Sequence, residues 1–133
     1  MKKTAVILFG LLGIFTLLTC KKSNVTVSPS LLGKWNIVSD SLSMAIVHET
    51  DTYYTGVTGD YFDFRTDNKL YLKEGSKLDT SSYTINANNT IDLPNIGGIG
   101  AYTFTVTANS AILKSYSIPN PGYYARRVIY LTR

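Results

Sequence analysis

The sequence predicts an all-β domain, a small up-and-down antiparallel barrel of about eight strands. Three observations predict it. Past Leu32 the apolar residues recur with period two, clusters of Asn, Asp, Gly and Pro separate the alternating stretches, and no window after residue 20 carries the 3.6-residue period of a long amphipathic helix. Consecutive hairpins that each offer one apolar face are best satisfied by closure, which removes unpaired strand edges.

The first element is not part of that barrel. MKKTAVILFGLLGIFTLLTC opens with Lys2 and Lys3, continues through fourteen mostly apolar residues from Ala5 to Leu18, and ends in the small Thr19 before Cys20. A charged start, a short greasy run and a small residue describe an export signal, read here as a signal helix over residues 1–19. The run is short of the ~20 apolar residues that a permanent span requires. Cys20 is the only cysteine of the 133 residues, and an unpaired thiol in an exported chain calls for a chemistry that consumes it.

Leu17, Leu18, Thr19 and Cys20 resemble the lipobox of bacterial lipoproteins, with Leu three places before the cysteine and a small residue just before it. The resemblance implies cleavage before Cys20, a diacylglycerol thioether on its sulfur and an acylated new amino terminus. Two or three acyl chains give stable anchoring where one gives only marginal binding, so the implied partner of Cys20 is a membrane. Thr19 departs from the commoner Gly, Ala or Ser. An uncleaved signal anchor, with Lys21 and Lys22 at the far interface, is the competing reading. Because Lys21 follows the cysteine where Asp is the familiar retention signal, the expected address is the bacterial cell envelope, on an outer membrane and facing the periplasm.

Cys20 to Ser30 (CKKSNVTVSPS) is polar, lacks a sustained period and reads as a flexible tether. Its ten residues after the cysteine span roughly 16–19 Å as a random chain, at ~5–6 Å × √n. Leu31 to Arg133 then forms one domain of 103 residues, enough for a modest core. Loss of Lys2 and Lys3 lowers the formal charge from +4 to +2, and Arg126 and Arg127 are the only adjacent basic pair of the domain. Nothing tracks phosphates, so nucleic acid is not an expected partner.

The strands follow in order. GKWNIVS places Trp35 and Ile37 on one face; a second strand is expected near Ser43–Thr50; YFDF presents Phe62 and Phe64, and KLYLK presents Leu70 and Leu72. SYTIN gives Tyr83 and Ile85, TIDL gives Ile91 and Leu93, and AYTFTVT gives Tyr102, Phe104 and Val106 against three threonines. The last two strands are expected over Ala111–Ser117 and Tyr123–Thr132. RTDNK at 65–69, NANN at 86–89, TANS at 107–110 and PNPG at 119–122 supply the turns, since Asn and Asp tolerate left-handed backbone angles and bond locally to their own main chain.

LLGKWNIVS, Leu31 to Ser39, resembles the opening of lipocalin-like domains, where Gly-x-Trp begins the first strand; here Gly33, Lys34 and Trp35 fill it. YFDFRTDNKLYL and the tyrosine-rich YYARRVIYLTR resemble the corresponding strands of small bacterial lipocalin-like lipoproteins. The domain is shorter than typical lipocalins and lacks their C-terminal helix. The resemblance implies a non-enzymatic barrel that binds a small apolar or amphipathic ligand.

Catalytic constellations are weak. His48 is the only histidine, and HETD fails the H-E-x-x-H zinc pattern because residue 52 is Thr. No G-x-S-x-G accompanies Asp40 or Asp51. Asp60 and Asp63 point to opposite strand faces, which does not suit paired-acid glycosidic cleavage; both are expected to be solvated near hairpin ends. GGIG at 97–100 runs into a strand rather than a helix N-terminus and reads as a rim loop. No enzyme, metal or cofactor is therefore expected.

All ten tyrosines lie in the domain. Tyr suits half-buried sheet positions, but Trp35, Tyr83, Tyr102 and Phe104 are also the candidates for lining an interior site, where aromatic faces would contact a ligand. Arg127 shares parity with Ile129 and Leu131. If that face is inward, its guanidinium packs on Trp35, as an Arg does in lipocalin-like barrels, or receives a ligand carboxylate. The opposite parity would send Arg126 inward instead. The rival function is a structural or protein-interaction lipoprotein whose barrel is filled by side chains, with an envelope protein as partner.

Overall fold

The computed structural model describes residues 30–45, 49–94, 96, 99–120 and 123–133. Cys20, the segment expected to be an export signal, nearly all of the expected tether, His48 and the glycines 97 and 98 lie outside the described residues. Ten strands follow in order: β1 (Gly33–Ala45), β2 (Glu49–Thr55), β3 (Tyr61–Phe64), β4 (Lys69–Glu74), β5 (Lys77–Ser82), β6 (Thr84–Asn86), β7 (Thr90–Asp92), β8 (Ala101–Val106), β9 (Ser110–Asn120) and β10 (Tyr123–Thr132). No helix among the described residues is long and apolar enough to cross a membrane.

Every pairing is antiparallel, and the hydrogen-bonded path runs β5-β4-β3-β1-β10-β9-β8-β7-β6, with β2 on β1. Its two ends, β5 and β6, are separated in sequence only by Tyr83. The chain itself therefore bridges the seam, and the sheet is a nearly closed barrel. β2 and β3 follow one another along one edge of β1, as β5 and β6 follow one another between β4 and β7, so ten segments occupy eight positions.

The expected strand at Ser43–Thr50 is instead a hairpin. β1 runs on to Ala45 and β2 starts at Glu49. Alternation misses this because the register of β1 against β10 shifts between Ile37 and Ser39: one extra residue changes which parity faces inward. Trp35 and Ile37 point in below the bulge, and Asp40 points in above it. Gly56 makes the bulge workable, since a Cβ there would lie 1.9 Å from the Ile37 carbonyl oxygen. Its N–H instead donates to the Val38 carbonyl at 3.0 Å.

The turns use the residues their geometry requires. Asn68, Asn88 and Asn89 all adopt positive φ, at 62°, 60° and 54°, in the two asparagine-rich turns. Gly33 enters β1 at φ 104°, a backbone conformation that side chains disfavour, which gives the Gly of Gly-x-Trp a physical reason.

The interior is one apolar cluster. Trp35, Phe62, Leu70, Ile91, Leu93, Leu113 and Ile129 are fully buried, and Phe64, Tyr102 and Leu131 are 1% exposed. Tyr83 stands edge-on to Phe64, centroids 5.4 Å apart at 85°. The segment between β7 and β8, expected as a loose rim loop, contributes Ile96 and Ile99 to the same core, each 4% exposed. The Leu93 N–H donates to the Gly100 carbonyl at 2.6 Å, and the Tyr102 hydroxyl donates to the Ile96 carbonyl at 3.2 Å.

Asp60 corrects the expectation of a solvated acid. It is 1% exposed and accepts from the Val57 N–H at 2.9 Å, the Gly75 N–H at 2.8 Å and the Tyr54 hydroxyl. These donors, Tyr54 foremost, hold its carboxyl below the usual range. One buried acid thus ties the β2–β3 bend to the β4–β5 turn.

Candidate functional site

The polar cluster inside the barrel begins with Arg127. It faces inward from β10, 8% exposed, while Arg126 faces solvent. Its Nε donates to both oxygens of Asp40, at 2.9 and 3.1 Å, and Nη2 donates to Oδ2 as well. This is a bidentate pair between adjacent strands, made possible by the bulge that turned Asp40 inward. Burial works against the guanidinium's charge, but Asp40, Tyr102 and Glu74 outweigh it, leaving Arg127 more firmly protonated than a free arginine.

Glu74, at the end of β4, completes the cluster. Its Oε1 lies 3.9 Å from Arg127 Nη2 and is buried without a hydrogen-bond partner. Burial, then the neighbouring Asp40 charge, push its carboxyl above the usual range. Tyr102 stands near the same guanidinium; burial raises its hydroxyl and Arg127 partly opposes this.

Arg127 therefore does not pack on Trp35. That place belongs to Arg133, whose guanidinium carbon lies 4.0 Å from the ring centroid, in cation-π contact. Arg133 Nη2 also donates to the carbonyls of Ser30 and Leu32, and the Trp35 indole donates to the Leu31 carbonyl at 2.7 Å. Trp35 and Arg133 fasten Ser30–Leu32 to the start of β1. Tyr83 and Tyr102 lie in the core, with the Tyr83 hydroxyl donating to the Arg65 carbonyl at 2.6 Å, and Phe104 packs half-buried against it. Cys20 lies outside the described residues.

A second feature lies outside the barrel wall. Above the bulge, β1 contributes Ser41 and Ser43 to the outer face. Cross-strand pairing sets Tyr53 and Asp51 beside them on β2, and Val128 and Arg126 beside them on β10. Small side chains on the central strand between large ones on both neighbours make a trough of about 650 Å³, also lined by Tyr124 and Tyr130. Tyr53 is 72% and Tyr130 43% exposed. The Ser43 hydroxyl donates to Asp51 Oδ1. Arg126 also borders a second groove of about 570 Å³ with Lys114 and Thr103.

Searches among protein families and curated proteins find no match to this chain. Its chemistry rests on its own residues. No group of three or more His, Cys, Asp or Glu side chains among the described residues is placed to hold a metal ion. The individual interior aromatics were readable as one parity of each strand. The partners of Arg127 were not, because Asp40 changes face at a bulge and Glu74 sits on β4, three strand positions away in the wall. The outer trough did leave a trace in the alternation of Ser39, Ser41 and Ser43.

Proposed function

We propose that this chain is a lipid-anchored protein of the bacterial cell envelope, without catalytic activity, whose side-chain-filled barrel is a rigid scaffold for recognition on its outer surface. The observation that carries the reading is the core. Trp35, Phe62, Phe64, Tyr83 and Tyr102 are all at most 3% exposed inside the barrel, and Ile96 and Ile99 close over it from the β7–β8 segment. An eight-position barrel has room either for its own side chains or for one small ligand, and here aromatic rings take the space. Arg127 supports the same reading, because its forked donors are already engaged by Asp40 instead of standing open for a ligand carboxylate. The anchor through Cys20 rests on the lipobox resemblance.

Native mass spectrometry of the full lipoprotein, extracted from the membranes of its own cell, tests this directly. The expected result is the acylated polypeptide mass with nothing further bound. A stoichiometric small molecule that leaves only on unfolding would overturn the scaffold reading in favour of an interior carrier.

A further inference from the structure

We infer that the free edge of β2 takes up an extended, basic segment of another envelope protein as an added strand. The inference rests on the scaffold reading and names what the outer surface recognises.

β2 is hydrogen-bonded on one side only. It pairs with β1 from Glu49 to Thr55 without a register shift, and among the described residues no strand pairs with its other side. Backbone groups of an antiparallel strand turn alternately to its two sides. The Gly56 N–H donates to the Val38 carbonyl, and Gly56 lies opposite Val38 in the register that sets Thr55 against Ser39. Thr50, Thr52 and Tyr54 therefore turn their backbone groups to β1, while the N–H and C=O of Glu49, Asp51, Tyr53 and Thr55 point to the open side. Asp51, Thr52 and Tyr53 are all exposed, although successive residues face opposite ways, so both faces of this stretch meet water. Proteins protect such an edge with Lys, Pro or a bulge. β2 has none of the three.

Charge selects the occupant. Asp51 and, by register, Glu49 fall on the outer face of β2, a strand without Lys or Arg. Asp51 accepts from the Ser43 hydroxyl and forms no ion pair among the described residues. Of the cations on nearby elements, Lys77 pairs with Asp79, Lys73 Nζ lies beside Gly59, and Arg126 stands on β10, two strands away and about 9–10 Å across. An incoming strand with Lys or Arg at alternate positions sets them opposite these acids, a favourable cross-strand pairing, while its backbone completes the ladder. A second copy fits less well. Antiparallel pairing of β2 with itself gathers Glu49 and Asp51 of both copies on one face, and it turns one barrel end over end, which sends the two Ser30 ends, and the proposed anchors beyond them, in opposite directions.

Fluorescence anisotropy tests this, with the full lipoprotein in micelles of a neutral detergent titrated into the labelled peptide Thr-Thr-Val-Thr-Lys-Thr-Lys. Antiparallel to β2, the valine stands opposite Tyr53 and the lysines opposite Asp51 and Glu49. The peptide should bind saturably, and added salt should weaken it. Glutamate in place of both lysines should weaken binding about ten-fold or more. N-methylation of the valine and the first lysine should do the same, because it removes two N–H groups that face β2 and leaves the charge unchanged. Asp51→Lys should lose binding to a similar degree with an unchanged urea midpoint, since the side chain is exposed, and the Asp51 and Tyr53 amides should exchange more slowly with the peptide bound. Absence of saturable binding overturns the inference, and so does equal binding of the N-methylated peptide, which would mean contact through side chains alone. Equal binding of the glutamate peptide overturns the basic assignment. A lipoprotein that dimerises with those two amides protected before any peptide is added gives the edge to a second copy and overturns the inference as well. Each of these results, alongside an unliganded native mass, leaves the filled scaffold intact; a ligand released from the interior would instead remove the scaffold reading itself.

Discussion

Replacing Arg127 with Met removes the guanidinium from between two carboxyl groups, Asp40 and Glu74. Asp40 and Glu74 keep side-chain exposures of 6% and 20%, so water cannot fully replace the guanidinium. Breaking a buried pair by removing one partner costs about 3–5 kcal/mol, because the remaining charge is left uncompensated. Against a total stability of about 5–15 kcal/mol, that is a large fraction. For a domain of this size each kcal/mol moves Tm by roughly 4–8 °C, so a loss of ~3 kcal/mol alone corresponds to a fall of about 12–24 °C. Equilibrium urea unfolding of the chain from Lys21 onward measures the change. The double variant Asp40→Leu with Arg127→Met should recover much of the loss, since a volume-matched apolar pair carries no desolvation cost; the two changes should be strongly non-additive. A loss under about 1 kcal/mol for Arg127→Met would refute the reasoning, because that is the range of an exposed ion pair.

Three further outcomes follow from the same structure. Glu74→Gln should stabilise the protein at pH 7: the folded-state carboxyl titrates above its unfolded value, so its contribution is complete below about pH 4.3 and is lost as pH rises through the folded value. Urea midpoints of parent and variant should therefore converge towards pH 4 and separate at neutral pH, and a parent at least as stable as the variant at pH 7 would contradict this. Gly56→Ala drives a methyl into the Ile37 carbonyl and should cost about 1–3 kcal/mol or more in the same unfolding assay, whereas an unchanged midpoint would mean that the bulge relaxes freely. Cys20→Ser should abolish labelling by radioactive palmitate and release the protein from the membrane fraction; retention without label would favour the uncleaved signal anchor.

How much of this was legible in the sequence depends on which physical rule each element obeys. Phe62, Phe64, Leu70, Leu72, Ile91 and Tyr102 follow strict two-residue alternation between turns rich in Asn, and they are core residues. The rule failed where one residue was inserted. Past the bulge at Ile37–Ser39, the sequence SDSLS has no apolar period to follow, because Asp40 faces inward to Arg127 and the serines face out. Asp60 misled in the opposite sense: it sits on the inward parity of Phe62, but its burial depends on donors from Val57, Gly75 and Tyr54 that alternation cannot supply. The stacking of Arg133 on Trp35 joins the two ends of the domain, a contact that no local pattern encodes.

The same bulge also links the filled interior to the outer trough. By changing the parity of β1, it puts Asp40 inside, where it engages Arg127, and leaves Ser41 and Ser43 outside, where larger side chains on β2 and β10 rise around them. Had the alternation continued unbroken from Trp35, Ser41 and Ser43 would face the core, and Asp40 would face solvent. An interior carrier could use such small inward residues as space, but this chain spends them on its surface. Ser30 lies beside Arg133 and Trp35, at the opposite end of β1 from Ala45. In the proposed anchored state, the trough therefore lies on the part of the barrel remote from the attachment point.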